Sequence, residues 1–450
     1  MLLNIEKLIY GGDGLARLPA DERGRGKAVF VPFVLAGEKI EATLTEQKAS
    51  FARAKVESIV EASPHRVQPG CRYFAACGGC HYQHASYAHQ LEIKKEILRE
   101  NLRRIAKLEL SSEIQVHPSP PWNYRNRSRL QVQGRPEFAA GYFKFASHEL
   151  LPVEECPISS PLINQGIAAL WRIGRAGKVA EGVVEVEFLA NADDTQLLIE
   201  VSCTAAAKRA AVKAWAEELR GLLPEIAGIA AFREPQGRAS SRQQDEFLVG
   251  LGDQHLNYQT HAASYQVSAG SFFQTNRHLT DELVKIVTQG RSGELALDLY
   301  AGVGLFSTAL ARDFHHIVSV EASQTSASDL KYNLPSNGEV IQATAEQYLS
   351  RSGSWSSNQG GRSGKGTFTL PVRRPDLVVV DPPRSGLGES VARSVASLDA
   401  PRITYVACDP ATLARDLIPV LGAGYRVEEA HLVDLFPQTY HLETVLHLGR

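Results

Sequence analysis

The chain has 450 residues, with 48 lysines and arginines, 50 aspartates and glutamates, and a formal net charge of −2 at pH 7. This length accommodates several domains, and the near-neutral charge gives no overall argument for a nucleic-acid ligand. No apolar stretch is long enough to span a membrane, and no signal peptide is evident at the N-terminus. We therefore expect a cytoplasmic protein with no membrane association, and nothing in the sequence indicates an obligate protein partner.

The first 61 residues predict a small β-domain. Short segments that alternate apolar and polar residues are separated by turns rich in glycine, as at Gly11, Gly12 and Gly14, and Pro32 interrupts the second strand. This pattern is typical of a small barrel of the OB type.

Three cysteines follow, in the spacing Cys71-x5-Cys77-x2-Cys80, with Gly78 and Gly79 forming a tight loop. In a chain without secretory features, clustered cysteines indicate metal binding or catalysis before disulfides. A fourth thiolate has to come from elsewhere, and Cys156 is a better candidate than Cys203. Four thiolates suit either a [4Fe–4S] cluster or a structural zinc ion, and the spacing alone does not decide between them.

Residues 62–270 predict a central domain of mixed α+β structure. A helix is expected over 86–107, with Leu91, Ile97, Leu98 and Ile105 on an apolar stripe; mostly strands follow from 123 to 265, with one helix near 205–220. Residues 91–135 contain ten basic against five acidic side chains. The basic ones are Lys94, Lys95, Arg99, Arg103, Arg104, Lys107, Arg125, Arg127, Arg129 and Arg135. Arg125, Arg127 and Arg129 alternate, so a strand would place them on one face suited to phosphates; for the helix, a solvated charged surface explains the charges equally well.

From residue 271 to 450, helices and strands alternate, which predicts a parallel α/β sheet. The glycine- and serine-rich stretch 351–366 is expected to form a mobile loop within it. In the segment 295–307, a strand ends near Asp298, and Gly302 and Gly304 turn the chain into a helix. Glu321 ends the next strand 19 residues after Gly302, a spacing at which a carboxylate accepts ribose hydroxyls. The pattern fits NAD or S-adenosylmethionine, but Ser307 replaces the third glycine, which disfavours a pyrophosphate cofactor.

Three more strands predict chemistry at the same sheet edge. They deliver Asp381, followed by two prolines, then Cys408, and then Glu443. A lone cysteine is more often a core residue, but the shared edge favours a nucleophile, and we expect the nearby helix start to lower its pKa. Glu443 is either exposed or a base with an adjusted pKa, and His441 and His447 are expected to be structural.

Together these motifs resemble the S-adenosylmethionine-dependent RNA uracil-C5 methyltransferases. The similarity is greatest to bacterial 23S rRNA enzymes with an N-terminal TRAM domain and an iron–sulfur cluster, and it covers nearly the whole chain. The motifs that carry the resemblance are, in chain order, "CRYFAACGGCHYQH", "VEECPI", "SAGSFFQTN", "DLYAGVGLFS", "DPPRSGL", "ACDPATLARDL" and "HLETVLHL". The resemblance implies a TRAM barrel over 1–61, a central iron–sulfur domain over 62–270 and a Rossmann-like class I methyltransferase domain over 271–450.

The resemblance also implies roles for individual residues. Gln274, Tyr300, Gly302, Glu321 and Asp381 are expected to bind S-adenosylmethionine, Cys408 to be the nucleophile and Glu443 the base. Cys71, Cys77, Cys80 and Cys156 are expected to hold a [4Fe–4S] cluster. The sequence departs from the family where Ala343 and Thr344 replace a Gly-Asp pair near the adenine.

The expected partner is RNA. Methylation of 23S rRNA is the leading hypothesis, tRNA is the alternative substrate, and a non-catalytic iron–sulfur RNA-binding protein is the alternative from another class. Either Phe272 or Phe273 could stack on a flipped base.

Overall fold

The computed structural model describes residues 1–19, 26–233, 246–352 and 374–450. The stretch predicted to be a mobile loop lies outside these residues, apart from its first two positions. No helix among the described residues is both long and apolar enough to cross a membrane.

The N-terminal residues form a sheet with the strand order β1-β5-β6-β4-β3-β2. Its strands are β1 (Leu2–Asn4), β2 (Lys7–Leu8), β3 (Asp13–Arg17), β4 (Ala28–Pro32), β5 (Lys39–Gln47) and β6 (Phe51–Glu61). Buried residues alternate with half-buried ones along β4 and with half-buried or exposed ones along the first half of β5, and Val29, Val31 and Ile40 are completely buried. The sheet turns one face inward, as the period-2 pattern predicted.

Helix α1 (Tyr87–Asn101) continues into a π-helical turn over Leu102–Ala106. Ile97 and Leu98 are buried as expected, but Ile105 is 36 % exposed. A π-turn carries an extra residue, which rotates the following side chains away from the face set by the α-helix. The prediction of a single apolar stripe through Ile105 was therefore wrong. The next strand is β7 (Gln115–His117).

A second sheet follows, with the order β10-β9-β8-β11-β12-β13-β14. Its strands are β8 (Arg127–Gln133), β9 (Ala139–Phe143), β10 (Leu150–Pro152), β11 (Val183–Ala190), β12 (Leu197–Cys203), β13 (Ile226–Arg233) and β14 (Glu246–Gly252). Helices α2 (Pro161–Arg175) and α3 (Arg209–Leu222) pack against it. Helix α3 was predicted; α2 was missed, although Ser160 caps its N-terminus through the Ile163 amide and a proline follows. The hairpin of β15 (His255–Gln259) and β16 (Ser264–Ser268) then leads into the last sheet.

The C-terminal sheet has the order β19-β18-β17-β20-β21-β23-β22-β7. Its further strands are β17 (Gly293–Leu299), β18 (Phe314–Glu321), β19 (Gly338–Gln342), β20 (Leu377–Val380), β21 (Arg402–Ala407), β22 (Arg426–Val433) and β23 (Glu443–Gly449). The helices are α4 (Thr280–Thr288), α5 (Leu305–Leu310), α6 (Gln324–Asn333), α7 (Ala345–Ser352), α8 (Gly388–Ser397) and α9 (Pro410–Gly422). Strands β17 to β21 are parallel, whereas β23 is antiparallel to both β21 and β22. This confirms the expected α/β architecture.

Strand β7 pairs with β22 in parallel, His117 opposite Val433. The chain segment expected to form a separate central domain thus contributes a strand to the C-terminal sheet. Lys94 of α1 also reaches this sheet: it is completely buried and donates hydrogen bonds to Asp434 and to the Phe436 carbonyl. Lys94 is therefore not part of the basic surface in which the sequence placed it.

Candidate active site

The loop after β17 brings two predicted cofactor residues into contact. Tyr300, Gly302 and Gly304 all have positive φ angles, of 64°, 57° and 94°, so the chain turns sharply between the strand and α5. The Gly302 amide donates a 2.9 Å hydrogen bond to Glu321 at the end of β18. The backbone loop and the acidic residue therefore lie side by side at the carboxyl edge of the sheet.

Ser307 stands where a dinucleotide motif has its third glycine, and its hydroxyl donates to Asp298 Oδ2. The other oxygen, Oδ1, is buried without a hydrogen-bond partner among the described residues. Burial, reinforced by the charge of Glu321, raises the pKa of Asp298 to about 7.

The loop after β20 carries Asp381 and is held by one carboxylate of α9. Asp416 accepts hydrogen bonds from the Leu387 and Gly388 amides, and from the Tyr405 hydroxyl. Gly386 has φ of 73°, and a Cβ there would lie 2.3 Å from Asp416 Oδ2. Desolvation, with the Asp298 charge, raises the pKa of Asp381.

Cys408 and Glu443 meet at the edge of adjacent strands. Ala407 of β21 pairs with Thr444 of β23, so Cys408 and Glu443 are the next residues on each strand. Cys408 is half-buried, whereas Glu443 is only 4 % exposed. Desolvation, reinforced by Asp381, holds the pKa of Glu443 well above its usual range. This direction agrees with the prediction of a carboxyl group with an adjusted pKa.

The predicted pKa of Cys408 was wrong in direction. Burial is the first cause, and the charges of Glu443 and Asp381 add to it, raising the pKa of Cys408 to about 12. The start of α9 does not offset them, because Asp409 caps that helix and accepts the Ala411 and Thr412 amides. The amides expected to favour a thiolate are already paired with a carboxylate.

Sequence reasoning missed several residues around Cys408. The Tyr10 hydroxyl, from the N-terminal sheet, donates 3.2 Å to the Cys408 carbonyl, and its ring packs edge-on against Tyr440 at 5.4 Å. A guanidinium nitrogen of Arg384 lies 3.3–3.4 Å from the ring nitrogens of His441, so His441 belongs to this site. Arg384 could have been noticed because it directly follows "DPP"; no signal near Tyr10 indicated its contact.

The remaining predicted residues lie on several elements. Gln274 is buried in the segment between β16 and α4, and half-buried Tyr300 lies in the loop after β17. Thr344 caps α7 in a reciprocal pair with Gln347. Phe273 is a core residue against Tyr258, whereas Phe272 is 59 % exposed. Phe272 is therefore the one of the pair available to a ligand.

Cys71, Cys77, Cys80 and Cys156 line one cavity of about 170 Å³. Burial raises the pKa of the Cys77 thiol to about 11 and that of Cys80 further. Among the described residues, no three of these sulfurs form a group within 4.8 Å of one another. Cys203 is buried in the core of the second sheet, away from this cavity.

The cysteine loop supports the segment that precedes Glu443. The amides of His81 and Tyr82 each donate 2.9 Å to the Gln438 carbonyl, and Gln90 exchanges two hydrogen bonds with Gln438. The His81 ring packs against Tyr440 at 4.6 Å. The residues that follow the cysteines therefore help to hold Gln438 and Tyr440 in place, just before Glu443.

The arginine strand differs from the expected phosphate-binding face. Arg127 and Arg129 both form ion pairs with Glu187, and Arg129 also pairs with Glu185. The Arg125 guanidinium donates to the Arg127 carbonyl. The glutamates of β11 lie opposite β8 in the sheet register. They therefore neutralise most of the positive charge on β8 that the sequence assigned to an RNA surface.

Residues 86–450 match the model of the tRNA (uracil-5-)-methyltransferase family, and residues 1–56 match the TRAM domain. A protein of Aquifex aeolicus described as an uncharacterized RNA methyltransferase is 33 % identical, covering 98 % of this chain and 97 % of the relative. A similarly described protein of Caldanaerobacter subterraneus is 30 % identical, covering 100 % and 97 %. The tRNA (uracil-54, C5)-methyltransferase of Pyrococcus abyssi, solved with S-adenosyl-L-homocysteine, superposes with a TM-score of 0.73 at 22 % identity and covers both chains completely.

Proposed function

The chain belongs to the tRNA (uracil-5-)-methyltransferase family and carries a TRAM domain, and from this premise we propose that it methylates C5 of a uridine in RNA through Cys408 and Glu443. The observation that carries the proposal is their position as the next residues on two paired strands. Asp381 lies close enough to perturb the pKa of both.

The methyl donor is proposed to be S-adenosylmethionine, whose sulfonium supplies an electrophilic methyl group. Glu321 and the loop around Gly302 are proposed to bind the ribose of the donor and the donor groups that face the loop backbone. Gln274, Tyr300 and Asp381 are proposed to complete the binding site. The Pyrococcus abyssi protein with its bound S-adenosyl-L-homocysteine supports the choice of ligand.

Cys408 is proposed to act as the nucleophile that activates the base, because C5 of uracil is too weak a nucleophile to attack a methyl group unaided. After the Cys408 thiol gives its proton to solvent water, its sulfur adds to C6, and the electron pair moves through C5 towards O4. C5 then attacks the methyl group, the bond from that methyl group to the sulfonium breaks, and S-adenosylhomocysteine leaves as a neutral thioether. Glu443 removes the C5 proton, and the C6–sulfur bond breaks, so that the double bond and the free Cys408 are restored.

The cysteine cavity is proposed to hold a [4Fe–4S] cluster. The four cysteines line one cavity, and the resemblance of their motif to that of the iron–sulfur enzymes favours such a cluster over a single zinc ion. The bonds between the cysteine loop and Gln438 support a structural role, in which the loop stabilises the wall beside Glu443.

The proposed substrate is 23S rRNA, on the strength of the cysteine motif together with the TRAM domain, and the proposed compartment is the cytoplasm. A tRNA uridine is the second candidate, favoured by the names of the family and of the Pyrococcus abyssi protein. Exposed Phe272 is proposed to stack on the flipped base. A non-catalytic role would not require Cys408, Glu443 and Asp381 to adjoin one another.

The experiment is to map 5-methyluridine in 23S rRNA and tRNA from cells lacking the gene. Complementation with wild type should restore one methylated position, and Cys408→Ala should not. Cys203→Ala is the matched control, because Cys203 is a buried core cysteine outside the site. Loss of a tRNA position would replace the rRNA proposal, and activity of Cys408→Ala would refute the nucleophile.

A further inference from the structure

A second group of ligand-type side chains lies on β22 and β23, away from the active site. It consists of Glu429, His431 and His447, whose candidate ligand atoms all lie within 4.8 Å of one another. His447 is four residues beyond Glu443 on β23, about 13 Å along the strand. The proposed methyl transfer makes no use of this group.

The strand register creates the group. Glu429 pairs directly with His447, and His431 is two residues further along β22, so the three side chains lie on one face of the sheet. His431 and His447 are buried, whereas the Glu429 side chain is 51 % exposed. The two histidines are therefore held in the protein interior, whereas Glu429 is accessible from solvent.

A chain of hydrogen bonds connects Glu282 through His117 to His431. His117 Nδ1 lies 3.0 Å from Glu282, and His117 Nε2 lies 3.1 Å from His431 Nδ1. When a metal ion takes the lone pair of His431 Nε2, His431 Nδ1 carries the proton and donates to His117, which donates to the Glu282 carboxylate. His431 Nε2 lies 3.3 Å from Glu429 Oε2.

An ion bound between His431 Nε2 and Glu429 Oε2 would replace the hydrogen bond that joins these two atoms. Nitrogen and oxygen ligands of a tetrahedral zinc ion lie about 3.4 Å apart, since each bond is about 2.0–2.2 Å. The observed separation of His431 and Glu429 is close to this value. The carboxylate–histidine pair behind His431 is the usual support of a metal-bound imidazole.

His447 supplies the third ligand. Its Nε2 donates to the Ile286 carbonyl at 3.0 Å, which is the backbone support common for metal-bound histidines. The lone pair on Nδ1 then remains, and it now accepts from the Thr404 hydroxyl at 3.0 Å. A bound ion has to displace this hydroxyl.

The cavity in front of the group has a volume of about 290 Å³ and leaves room for water as a further ligand. Lys285 and Arg291 also line it, so its walls are not strongly acidic. Two imidazoles and one carboxylate suit a transition metal better than calcium or magnesium.

We propose that Glu429, His431 and His447 bind one divalent transition-metal ion, with Zn²⁺ as the representative, and that His117 and Glu282 hold the His431 tautomer for it. The ion would link β22 to β23, which begins at Glu443. Its binding does not depend on the proposed methyl transfer.

Equilibrium dialysis of the anaerobically purified full-length protein against Zn²⁺ tests this site. Wild type should bind one more ion per chain than Glu429→Gln or His431→Gln, and the exposed Glu429 gives a variant that should fold normally. His117→Leu should weaken binding about 10- to 100-fold, as loss of a supporting residue does. The matched control is His261→Gln, because the His261 side chain is 94 % exposed and lies outside the group.

Co²⁺ absorption separates this site from the cysteines. Nitrogen and oxygen ligands should give weak visible bands that disappear in Glu429→Gln, whereas thiolates give intense near-ultraviolet bands. Equal Zn²⁺ stoichiometry in wild type and both ligand variants, or Co²⁺ spectra with sulfur bands alone, would overturn the proposal.

Discussion

The Tyr10 hydroxyl donates a hydrogen bond to the backbone carbonyl of Cys408, 398 positions later in the chain. The N-terminal sheet therefore helps to form the wall of the active site. The Tyr10 side chain is also close enough to Arg384 and Asp409 for their charges to affect its pKa, which burial raises. The contact identifies Tyr10 as a positioning residue for the proposed nucleophile.

Tyr10→Phe should lower the methyl-transfer rate about 5- to 30-fold, because an unsatisfied buried acceptor costs about 1–2 kcal/mol. The KM for the methyl donor should not change. Tyr332→Phe is the control, since Tyr332 is 72 % exposed. A normal rate in Tyr10→Phe would show that the hydrogen bond does not position Cys408.

Glu443→Gln should accumulate a covalent complex between RNA and protein. The amide cannot take the C5 proton, so elimination stalls after Cys408 has added to the base. Denaturing electrophoresis with labelled RNA would detect the complex, and Glu443→Gln/Cys408→Ala should not form it. Normal turnover of Glu443→Gln with no complex would contradict the assignment of the base.

The reactivity of Cys408 should rise with pH well beyond neutrality. Burial and the nearby carboxylates raise its pKa to about 12, so only a small thiolate fraction exists at pH 7 to 9. Glu443→Gln removes one negative charge and should move the alkylation profile to lower pH. Peptide mapping after iodoacetamide treatment measures the alkylation of Cys408 against pH in wild type and in the variant. An alkylation midpoint below pH 8.5 in wild type would show that the pKa of Cys408 is not raised.

Lys94→Met should destabilise the protein by about 3–5 kcal/mol, since it leaves the buried carboxylate of Asp434 without its partner. Lys94→Met/Asp434→Leu should recover part of the loss. Denaturant unfolding measures both variants, with Lys213→Met, whose side chain is 57 % exposed, as the control. Equal destabilisation in single and double variants would argue against a specific ion pair.

Asp298→Asn should stabilise the protein relative to wild type above pH 7 and by less near pH 4. Because burial raises the folded-state pKa to about 7, folding favours the protonated acid. The protonated Asp298 carboxyl group stabilises the folded state at low pH, and this stabilisation is lost as the pH rises towards 7. The amide of the variant does not titrate, so it has no such pH dependence. Thermal unfolding from pH 4 to 8 measures the difference; a constant difference would be the contrary result.

The sheet-edge residues were predictable because local strand patterns place them. Parallel strands end at one edge, so Glu321, Asp381 and Cys408 could be brought together from their positions alone. The four cysteines were likewise gathered in one cavity, as the spacing and the Cys-Pro pair at 156 indicated.

Other features depend on contacts between distant segments. Nothing near Lys94 indicates that Asp434 buries it, and nothing near Arg127 indicates Glu187 across the sheet. The sign of the Cys408 pKa shift was missed for a similar reason, since the carboxylates beside the sulfur belong to other strands. The tertiary structure decides which charged groups lie close together and how deeply they are buried, so neither the ion pairs nor this pKa shift can be predicted from the local sequence.

Asp416 holds the loop that follows Asp381. Its carboxylate accepts hydrogen bonds from the amides of residues 387 and 388 and from the Tyr405 hydroxyl. A loop that is ordered beforehand loses little conformational entropy when a ligand arrives, so more of the contact energy is expressed as affinity. Preorganisation of this loop therefore rests on an acidic residue of α9 that lies within the motif "ACDPATLARDL" but for which the sequence predicted no role.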